Sequence, residues 1–302
     1  MSKKKITVIG SSNTDMTVWS PSLPKPGETV LGDGFRMGQG GKGANQAVAA
    51  RKLGGDVTFI CKVGRDMFGN QAKENYEACG LDTSKMLYSA KPSGVALITV
   101  DSNAENSIVV ASGANADLSV ADIESVADII RGSDILLLQL EIPIPSVERA
   151  AEIAHAAGVR VVLNPAPAAH LSDRLLGCVS ILIPNETEAS AISGIEVKDG
   201  ESAEKAVKAL KQKGVESVII TMGSRGAVVY NGKCESVPAM KVNAVDTTAA
   251  GDTFCGGVCV ALSEGKSLMD AVRFATAASS IAVQRPGAQD SVPSREEVDA
   301  IL

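Results

Sequence analysis

The chain has few of the residues that build metal centres. Only two histidines, His155 and His170, occur in 302 residues, and the six cysteines include no C-x-x-C pair. Zinc sites draw their ligands from such pairs and from clustered histidines, so the composition argues against a zinc site. We expect the cysteines to be small core residues in a reducing compartment, which places the protein in the cytoplasm.

Aromatic residues, positive charge and long apolar runs are scarce as well. The chain holds five Phe, three Tyr and one Trp, and its net charge is −6. A net negative charge argues against nucleic acid as a partner. No apolar run reaches the length of a membrane span, and the one that follows the lysines at positions 3–5 is short enough to be a strand rather than a signal peptide. We expect neither a nucleic-acid nor a membrane partner.

Short apolar segments alternate with longer segments of helical composition. Six segments are predicted as strands because they are rich in Val, Ile and Leu throughout, which is typical of a sheet covered on both faces: Ile6–Ile9, Val57–Val63, Ile135–Leu140, Val159–Leu163, Ile181–Pro184 and Ser217–Met222. Helices are predicted at 42–53, 69–79, 120–131, 146–157, 202–213, 250–263 and 267–283. This order predicts an α/β fold with a doubly wound, mostly parallel sheet and helices on both faces, and ligands at the carboxyl ends of the strands. We expect residues 1–302 to form a single domain.

Two segments, at about 14–38 and 93–113, do not fit this alternation. The second contains two β-rich runs around a predicted turn at 101–106, which indicates a hairpin. The simplest interpretation is a small second sheet with one covered face, and an ordinary surface hairpin is the alternative. On a monomer such a sheet is expected to expose one apolar face that carries Val95, Leu97, Ile108 and Val110.

The segment Ala244–Phe254 is predicted to be a strand end, a turn of small residues and the start of a helix. Backbone amides at a helix N-terminus lack partners, and with the helix dipole they form a site for an anion. Asp252 beside such a site would repel a phosphate, but it could take a proton from a hydroxyl that attacks phosphorus. The alternative is a stabilising acid in the first turn of a helix.

Glycines at Gly38, Gly40 and Gly43 let another group approach the backbone closely, and Asn45 can donate and accept hydrogen bonds with a polyol. The three glycines also fit the G-x-G-x-x-G pattern of dinucleotide-binding proteins. That pattern needs a tight strand immediately before it, whereas the preceding segment is interrupted by Gly32 and Gly34. A dinucleotide-dependent oxidoreductase therefore remains a minor alternative.

Polar residues follow several predicted strands. Asn13 and Asp15 follow the first, and an amide and a carboxylate there can bind neighbouring hydroxyls of a sugar, although both are also ordinary turn residues. Glu141 follows a buried strand, where a charged side chain is costly unless it binds a partner or a ligand. The segment Asn185–Glu188 follows another strand and could equally be a helix N-cap. Residues 221–226 form a predicted glycine and serine turn.

Two of these motifs carry a resemblance to a known family. Residues 246–252, Asp-Thr-Thr-Ala-Ala-Gly-Asp, resemble the Asp-Thr-x-Gly-Ala-Gly-Asp signature of the ribokinase-like carbohydrate kinases, with Ala249 in place of the first glycine. Residues 40–46 match the family's Gly-Gly-Lys-Gly-Ala-Asn-Gln motif without a gap. Further matches lie at 140–141, 164–168 and 287–289, so the resemblance covers nearly the whole chain.

The resemblance implies roles for individual residues. The sugar would be held by Asn13, Asp15, Gly41, Lys42, Asn45 and Glu141, with Asp252 as the base. ATP and its Mg²⁺ would be contacted by Asn185, Glu188, Thr221, Gly223, Ser224, Gly226, Ala250, Gly251 and Thr276. A potassium ion would be bound, mostly through backbone carbonyls, by Asp246, Thr248, Ala282, Arg285, Gly287 and Ser291. The two segments outside the main alternation would form a lid that closes over the sugar and holds a homodimer together.

The expected activity is therefore ATP-dependent phosphorylation of D-ribose to D-ribose 5-phosphate. The same chemistry on deoxyribose, a fructose-type sugar or adenosine is an alternative. A nucleoside pocket would be expected to offer aromatic faces, and the two lid segments hold only Trp19 and Phe35, which favours a free pentose. A non-catalytic sugar-binding protein is a further alternative, but it would have no need of a base at Asp252.

Overall fold

A sheet of buried apolar strands forms the centre of the protein. The structure is a computed structural model that describes residues 4–103 and 105–302. The strands of this sheet and of two smaller sheets are β1 (Lys5–Ile9), β2 (Asn13–Trp19), β3 (Gly34–Gly40), β4 (Asp56–Ile60), β5 (Lys62–Gly64), β6 (Leu87–Ser89), β7 (Gly94–Val100), β8 (Asn106–Ala111), β9 (Ile135–Leu138), β10 (Arg160–Leu163), β11 (Ile181–Leu182), β12 (Ser217–Thr221), β13 (Ala227–Tyr230) and β14 (Cys234–Val237).

Along the chain most helices alternate with strands, and in space they lie on the two faces of the main sheet. They are α1 (Lys42–Lys52), α2 (Met67–Ala78), α3 (Val120–Ser125), α4 (Ala127–Arg131), α5 (Ile144–Ala156), α6 (Asp173–Leu176), α7 (Glu186–Ser193), α8 (Gly200–Gln212), α9 (Ala250–Ser263), α10 (Leu268–Ala282) and α11 (Arg295–Asp299). No helix in the described ranges is long and apolar enough to cross a membrane.

The main sheet is doubly wound, as the sequence predicts. Its strand order is β14-β13-β12-β11-β10-β9-β1-β4, and all neighbours pair in parallel except β12–β13 and β13–β14. Side chains alternate between two cores: Val8 packs with α1, α2, α9 and α10 on one face, and Ile9 packs with α3, α4, α5 and α8 on the other. Because helices cover both faces, the central strands are apolar throughout.

Several elements differ from the sequence-based prediction. The predicted strand Val57–Val63 is divided into β4 and β5, and β5 pairs with β6 in a separate two-stranded sheet. The predicted helix 120–131 is broken at Val126, whose φ of −112° and ψ of 11° leave the helical region. Strands β6, β13 and β14 were not predicted, and β14 is a largely polar edge strand that shows no apolar run. The other predicted helices begin and end within two residues of the observed ones.

Both segments outside the main alternation contribute to one four-stranded sheet of order β3-β2-β7-β8, here called the lid sheet. The predicted hairpin is β7–β8, and its turn includes Ala104, which lies outside the described residues. The expected single apolar face is wrong. Leu97 pairs with Val109, whereas Ile108 pairs with Ile98, and paired residues share a face while successive residues alternate. Val95 and Leu97 therefore lie on one face, and Ile108 and Val110 lie on the other.

Candidate active site

A polar cavity of about 220 Å³ lies at the carboxyl ends of the central strands. Its lining comes from residues that follow β10 and β11, from the last residue of β12 and from the starts of α1 and α9, to one side of the point beside β1 at which the strand order reverses. The cavity is lined by Lys42, Asn164, Ala166, Ile183, Asn185, Glu188, Thr221, Thr247, Ala249, Gly251, Asp252 and Cys255. Six of these, Lys42, Asn185, Glu188, Thr221, Gly251 and Asp252, are among the residues predicted from the sequence.

Asp252 is a buried carboxylate in the first turn of α9, with 7% of its surface exposed. Two amides from α1 donate to it: Asn45 Nδ2 to Oδ2 at 3.1 Å and Gln46 Nε2 to Oδ1 at 2.9 Å. Burial raises the pKa of Asp252, and the Lys42 ammonium together with the two amide donors opposes that rise. The environment therefore increases the proton affinity of Asp252 while keeping it hydrogen-bonded as an acceptor, as a general base requires.

The N-terminus of α9 is open toward the cavity. Its N-cap residue, Ala249, has φ 56° and ψ 12° and makes no side-chain cap. Ala249 is the only described non-glycine residue with positive φ, and it occupies the position at which the related signature has glycine. Beside it, a Cβ on Gly251 would meet nothing within 4 Å. The first amides of the helix thus have space for an anion next to Asp252.

Lys42, the first residue of α1, supplies the positive charge of the cavity. Burial would lower its pKa, but the nearby carboxylates of Asp252, Glu141 and Glu188 outweigh that effect and raise it. Its backbone N–H donates to Glu141 Oε2 at 3.0 Å, and Ser11 Oγ donates to the same oxygen at 2.6 Å. An ammonium among carboxylates is suited to stabilising negative charge that develops on a transferred group.

Asp15 and Asn13 lie on β2, on the lid side of the site. Burial raises the pKa of Asp15 to about 7, with further contributions from the charges of Glu141 and Asp252. Asn13 Oδ1 accepts a hydrogen bond from Asn115 Nδ2 at 2.7 Å, which leaves the Asn13 amide group free to donate elsewhere. The two residues predicted to bind sugar hydroxyls therefore lie on one strand that enters the site from the lid sheet.

Asn185 and Glu188 form a capping box at the start of α7 and also line the cavity. Glu188 N–H donates to Asn185 Oδ1 at 2.8 Å, and Asn185 N–H donates to Glu188 Oε2 at 2.9 Å. Asn185 bridges to Thr221 at the end of β12. Burial raises the pKa of Glu188. The two interpretations left open by the sequence, a helix cap and a binding motif, are therefore compatible.

Five residues predicted to contact ATP do not line this cavity. Gly223, Ser224 and Gly226 belong to the turn that follows β12. Thr221, the last residue of β12, lines the cavity, but these three residues do not. Thr276 lies in α10, where its hydroxyl donates to Val272 O at 2.8 Å. The fifth residue is Ala250, the first residue of α9, whose carbonyl oxygen accepts a hydrogen bond from Ser279 Oγ of α10 at 2.9 Å.

The residues predicted to bind a monovalent cation lie in two segments that Asp246 joins. Its carboxylate accepts from Thr248 N–H at 2.9 Å and from Gly287 N–H at 2.8 Å. Partial burial would raise its pKa, but hydrogen bonds from Thr248 and Gly287 hold that pKa below its usual value. The Arg285 side chain pairs with Glu297, so only its carbonyl is available to a cation. Ala282 O accepts from Arg285 N–H, and Ser291 is fully buried.

A divalent ion would have to rely on few protein ligands. Within the described ranges, no three His, Cys, Asp or Glu residues are grouped in a way that could hold a metal ion. Mg²⁺ in phosphotransfer sites is usually bound by one or two carboxylates together with phosphates and water. Glu188, one of the residues predicted to contact ATP and its Mg²⁺, lines the cavity and fits that arrangement.

Four amide residues around Asp252 were missed as functional candidates. Gln139 Nε2 donates to Gln46 Oε1 at 2.6 Å, and Gln46 also donates to Asn164 Oδ1 at 3.1 Å. Gln289 Nε2 donates to Asn45 Oδ1 at 3.2 Å. One signal was available for Gln139, which is an amide within a predicted strand of leucines. Gln289 gives no such signal, because it lies in an irregular loop remote in sequence.

The fold and the site together define a kinase of the carbohydrate type. Residues 3–295 match the pfkB family of carbohydrate kinases, and the chain belongs to this family. It is 48% identical to the ribokinase of Haemophilus influenzae over 98% of this chain and 97% of that protein. It is 38% identical to the deoxyribokinase of Salmonella typhi, with 98% of each chain covered. The structure of Arabidopsis thaliana ribokinase complexed with ribose and ATP aligns with a TM-score of 0.92 at 34% identity, covering 100% of this chain and 99% of that one.

Proposed function

We propose that the protein transfers the γ-phosphoryl group of ATP to the 5-hydroxyl of D-ribose, and that residues 1–302 act as one kinase domain with its lid. The observation that carries this proposal is the buried Asp252 carboxylate beside the open N-terminus of α9. Relatives that are ribokinases and that match over 97% and 99% of their own length support ribose as the substrate.

In this reaction Asp252 accepts the proton of the 5-hydroxyl as the hydroxyl oxygen forms its bond to the γ-phosphorus, and ADP leaves with the electrons of the broken P–O bond. The amides at the start of α9 and the Lys42 ammonium stabilise the charge on the phosphoryl group. The sugar is oriented by the amide and carboxylate groups of β2 and α1 and by Glu141. These groups supply the alternating donors and acceptors that neighbouring hydroxyls need.

ATP would lie along the side of the cavity formed by Asn185, Glu188 and Thr221, and would extend past the turn at Gly223–Arg225 toward Thr276 in α10. Mg²⁺ bound with the phosphates would neutralise their charge, and Glu188 is the carboxylate placed to hold it or its water. The six free cysteines agree with a protein that works in the reducing, ATP-rich cytoplasm.

A monovalent cation is proposed to bind at the loops that Asp246 joins. These loops flank the start of α9, so a bound cation would fix the amides that hold the phosphoryl group. Potassium is expected to raise kcat over sodium or Tris buffers of matched ionic strength. Equal rates in the three buffers would remove this part of the proposal.

The lid sheet is proposed to close over the sugar and to hold a homodimer together. One of its faces exposes Val18, Phe35, Met37, Leu97 and Val109, which share that face by register. Large exposed apolar patches mark interaction surfaces, and a twofold pairing would bury two copies through one self-complementary patch. Closure would also exclude water and so limit ATP hydrolysis.

Deoxyribose is the main alternative substrate, because two of the relatives are deoxyribokinases. A coupled assay of ADP release with ribose, 2-deoxyribose, fructose and adenosine distinguishes the candidates by kcat/KM. Ribose is expected to have the highest value. A higher value for 2-deoxyribose or adenosine would overturn the choice of substrate, and an absence of ADP release with all four would favour a binding protein.

A further inference from the structure

The two side-chain amides that donate to Asp252, those of Asn45 and Gln46, each accept a hydrogen bond from another side-chain amide. A primary amide has a donor end and an acceptor end, so the direction in which it points is determined by the partners at both ends. Asn45 directs its Nδ2 group to Asp252, and its Oδ1 accepts from Gln289 Nε2 at 3.2 Å. The orientation of Asn45 therefore depends on Gln289.

Gln289 is itself oriented from outside the cavity. Its Oε1 accepts from Asn75 Nδ2, which lies on α2, at 2.8 Å. Gln289 is buried, with 5% of its surface exposed, and neither Gln289 nor Asn75 lines the cavity. The result is a chain of three amides, Asn75, Gln289 and Asn45, in which each donates to the next and the last donates to Asp252.

We propose that Gln289, oriented by Asn75, is a positioning residue that keeps the donor end of Asn45 directed at the Asp252 carboxylate. The proposal rests on Asp252 being the base of the proposed reaction. We call the hydrogen-bonded chain Asn75–Gln289–Asn45 the relay. Without the relay, the amide group of Asn45 can rotate by half a turn and present its carbonyl oxygen to Asp252, which places two acceptors against each other. Asp252 then loses one of two donors that favour its charged form, and it holds a proton at higher pH.

Two substitutions reverse the relay instead of merely removing it. In Gln289→Glu the new carboxylate still accepts from Asn75 but cannot donate to Asn45, so Asn45 turns its donor end away from Asp252. In Asn75→Asp the new carboxylate accepts from Gln289, so Gln289 and then Asn45 turn over in sequence. Asn75→Asp is separated from Asp252 by two residues of the hydrogen-bond chain, Gln289 and Asn45, and it changes no residue that lines the cavity.

The test is the pH dependence of kcat at saturating ribose and Mg·ATP, which reports groups in the substrate complex. A hydrogen bond to a charged group corresponds to a shift of about one to two pH units. We expect Gln289→Glu to move the acid limb to higher pH by that amount, and Asn75→Asp to move it in the same direction by less. Gln289→Met, which removes the donor without reversing it, is expected to lie between wild type and Gln289→Glu.

The other charged groups around Asp252 are unchanged by these variants: Lys42, Glu141, Asp15 and Glu188, with the Cys255 thiol beside them. Gln289→Glu and Asn75→Asp each add a carboxylate whose repulsion also raises the pKa of Asp252, whereas Gln289→Met adds no charge, so a shift of its acid limb isolates the lost donor. Gln284→Glu is the matched control, because it adds the same charge to the same segment at an exposed side chain that donates only to Ser280 O. Its acid limb is expected to coincide with that of wild type.

An acid limb of Gln289→Glu and Asn75→Asp that coincides with wild type, in protein that melts normally, overturns the relay. Should Gln289→Glu fail to fold, Asn75→Asp alone decides the matter by the same criterion. Failure of the proposed function is distinct, because it would appear as normal turnover by Asp252→Asn, whatever the relay variants do.

Discussion

The carboxylate of Asp15 occupies the space in which a side chain of Gly40 would begin. Asp15 lies on β2, and Gly40 is the last residue of β3, its neighbour in the lid sheet. The absence of a side chain at Gly40 therefore lets the Asp15 carboxylate lie against the backbone at the edge of the site. Its burial there, close to Glu141 and Asp252, has a measurable consequence for stability.

The free energy of unfolding is expected to fall between about pH 4 and pH 7 through Asp15. Its pKa is raised from 3.8 to about 7 in the folded protein, so in this window the folded state holds a proton that the unfolded state has released. Asp15→Asn removes the effect, and its stability relative to wild type should increase with pH by at most about 4 kcal/mol. Urea unfolding at several pH values measures this difference. Thr17→Val on the same strand should show a pH-independent difference, and a flat difference for Asp15→Asn would contradict the prediction.

Asp252→Asn is expected to lower kcat by about 10²–10⁴-fold while ribose binding weakens much less. The substitution keeps the size of the side chain and removes its ability to accept a proton. Steady-state kinetics and calorimetric titration of ribose separate the two effects. Asp270→Asn is the control, because Asp270 is an exposed acid in the first turn of the neighbouring helix α10. Near-normal turnover of Asp252→Asn would make Asp252 a helix-turn carboxylate and no more.

Ala249→Gly is expected to raise the melting temperature by a few degrees. A left-handed backbone costs a residue with a Cβ about 1–2 kcal/mol, and glycine avoids that cost while losing about 0.4–1 kcal/mol through the unfolded chain. Ala250→Gly, one residue later and inside the helix, should instead destabilise by about 0.5–1 kcal/mol. Calorimetry of both variants gives the comparison, and equal destabilisation by the two would show that Ala249 carries no strain.

Charges on the exposed face of the lid sheet are expected to dissociate the proposed homodimer. Leu97→Lys or Val109→Lys places an ammonium on the patch proposed to be self-complementary, so sedimentation should show a shift toward monomer and kinetics a higher KM for ribose. Val120→Lys changes an exposed apolar residue of α3 and should leave both quantities unchanged. A wild-type protein that sediments as a fully active monomer at micromolar concentration would defeat the proposal.

Local patterns in the sequence predicted most of the main sheet and its helices. The apolar runs of β1 and β9 and the alanine-rich helix α1 were recognisable because covering both faces of a sheet imposes a composition on each strand. The division of residues 57–63 into β4 and β5 could not be recognised from the sequence, because it depends on pairing with different strands: β4 pairs with β1, and β5 pairs with β6. The faces of the lid hairpin were also wrong, because pairing register is set by contacts between strands rather than within them.

The candidate site was predictable where its residues belong to contiguous motifs. Lys42, Asn185, Glu188, Gly251 and Asp252 were named from their own segments, and the structure brings them to one cavity. The amides of Gln139 and Gln289 reach the same carboxylate through chains of hydrogen bonds that cross the fold. Such chains leave no periodicity or spacing in the sequence, so only coordinates reveal them.

The junction between β3 and α1 is a single residue, Gly41, with φ 89°. The lid sheet ends at this glycine, and the helix that carries Lys42 and Asn45 begins immediately after it. The lid strands therefore meet α1 through one residue, but Lys42, Asn45 and Glu141, which are proposed to hold the sugar together with β2, belong to the main fold. A graft of lid strands from a relative with a different sugar preference would have to keep a glycine at this junction, because the backbone at Gly41 has a φ of 89° and sets the direction in which α1 leaves β3.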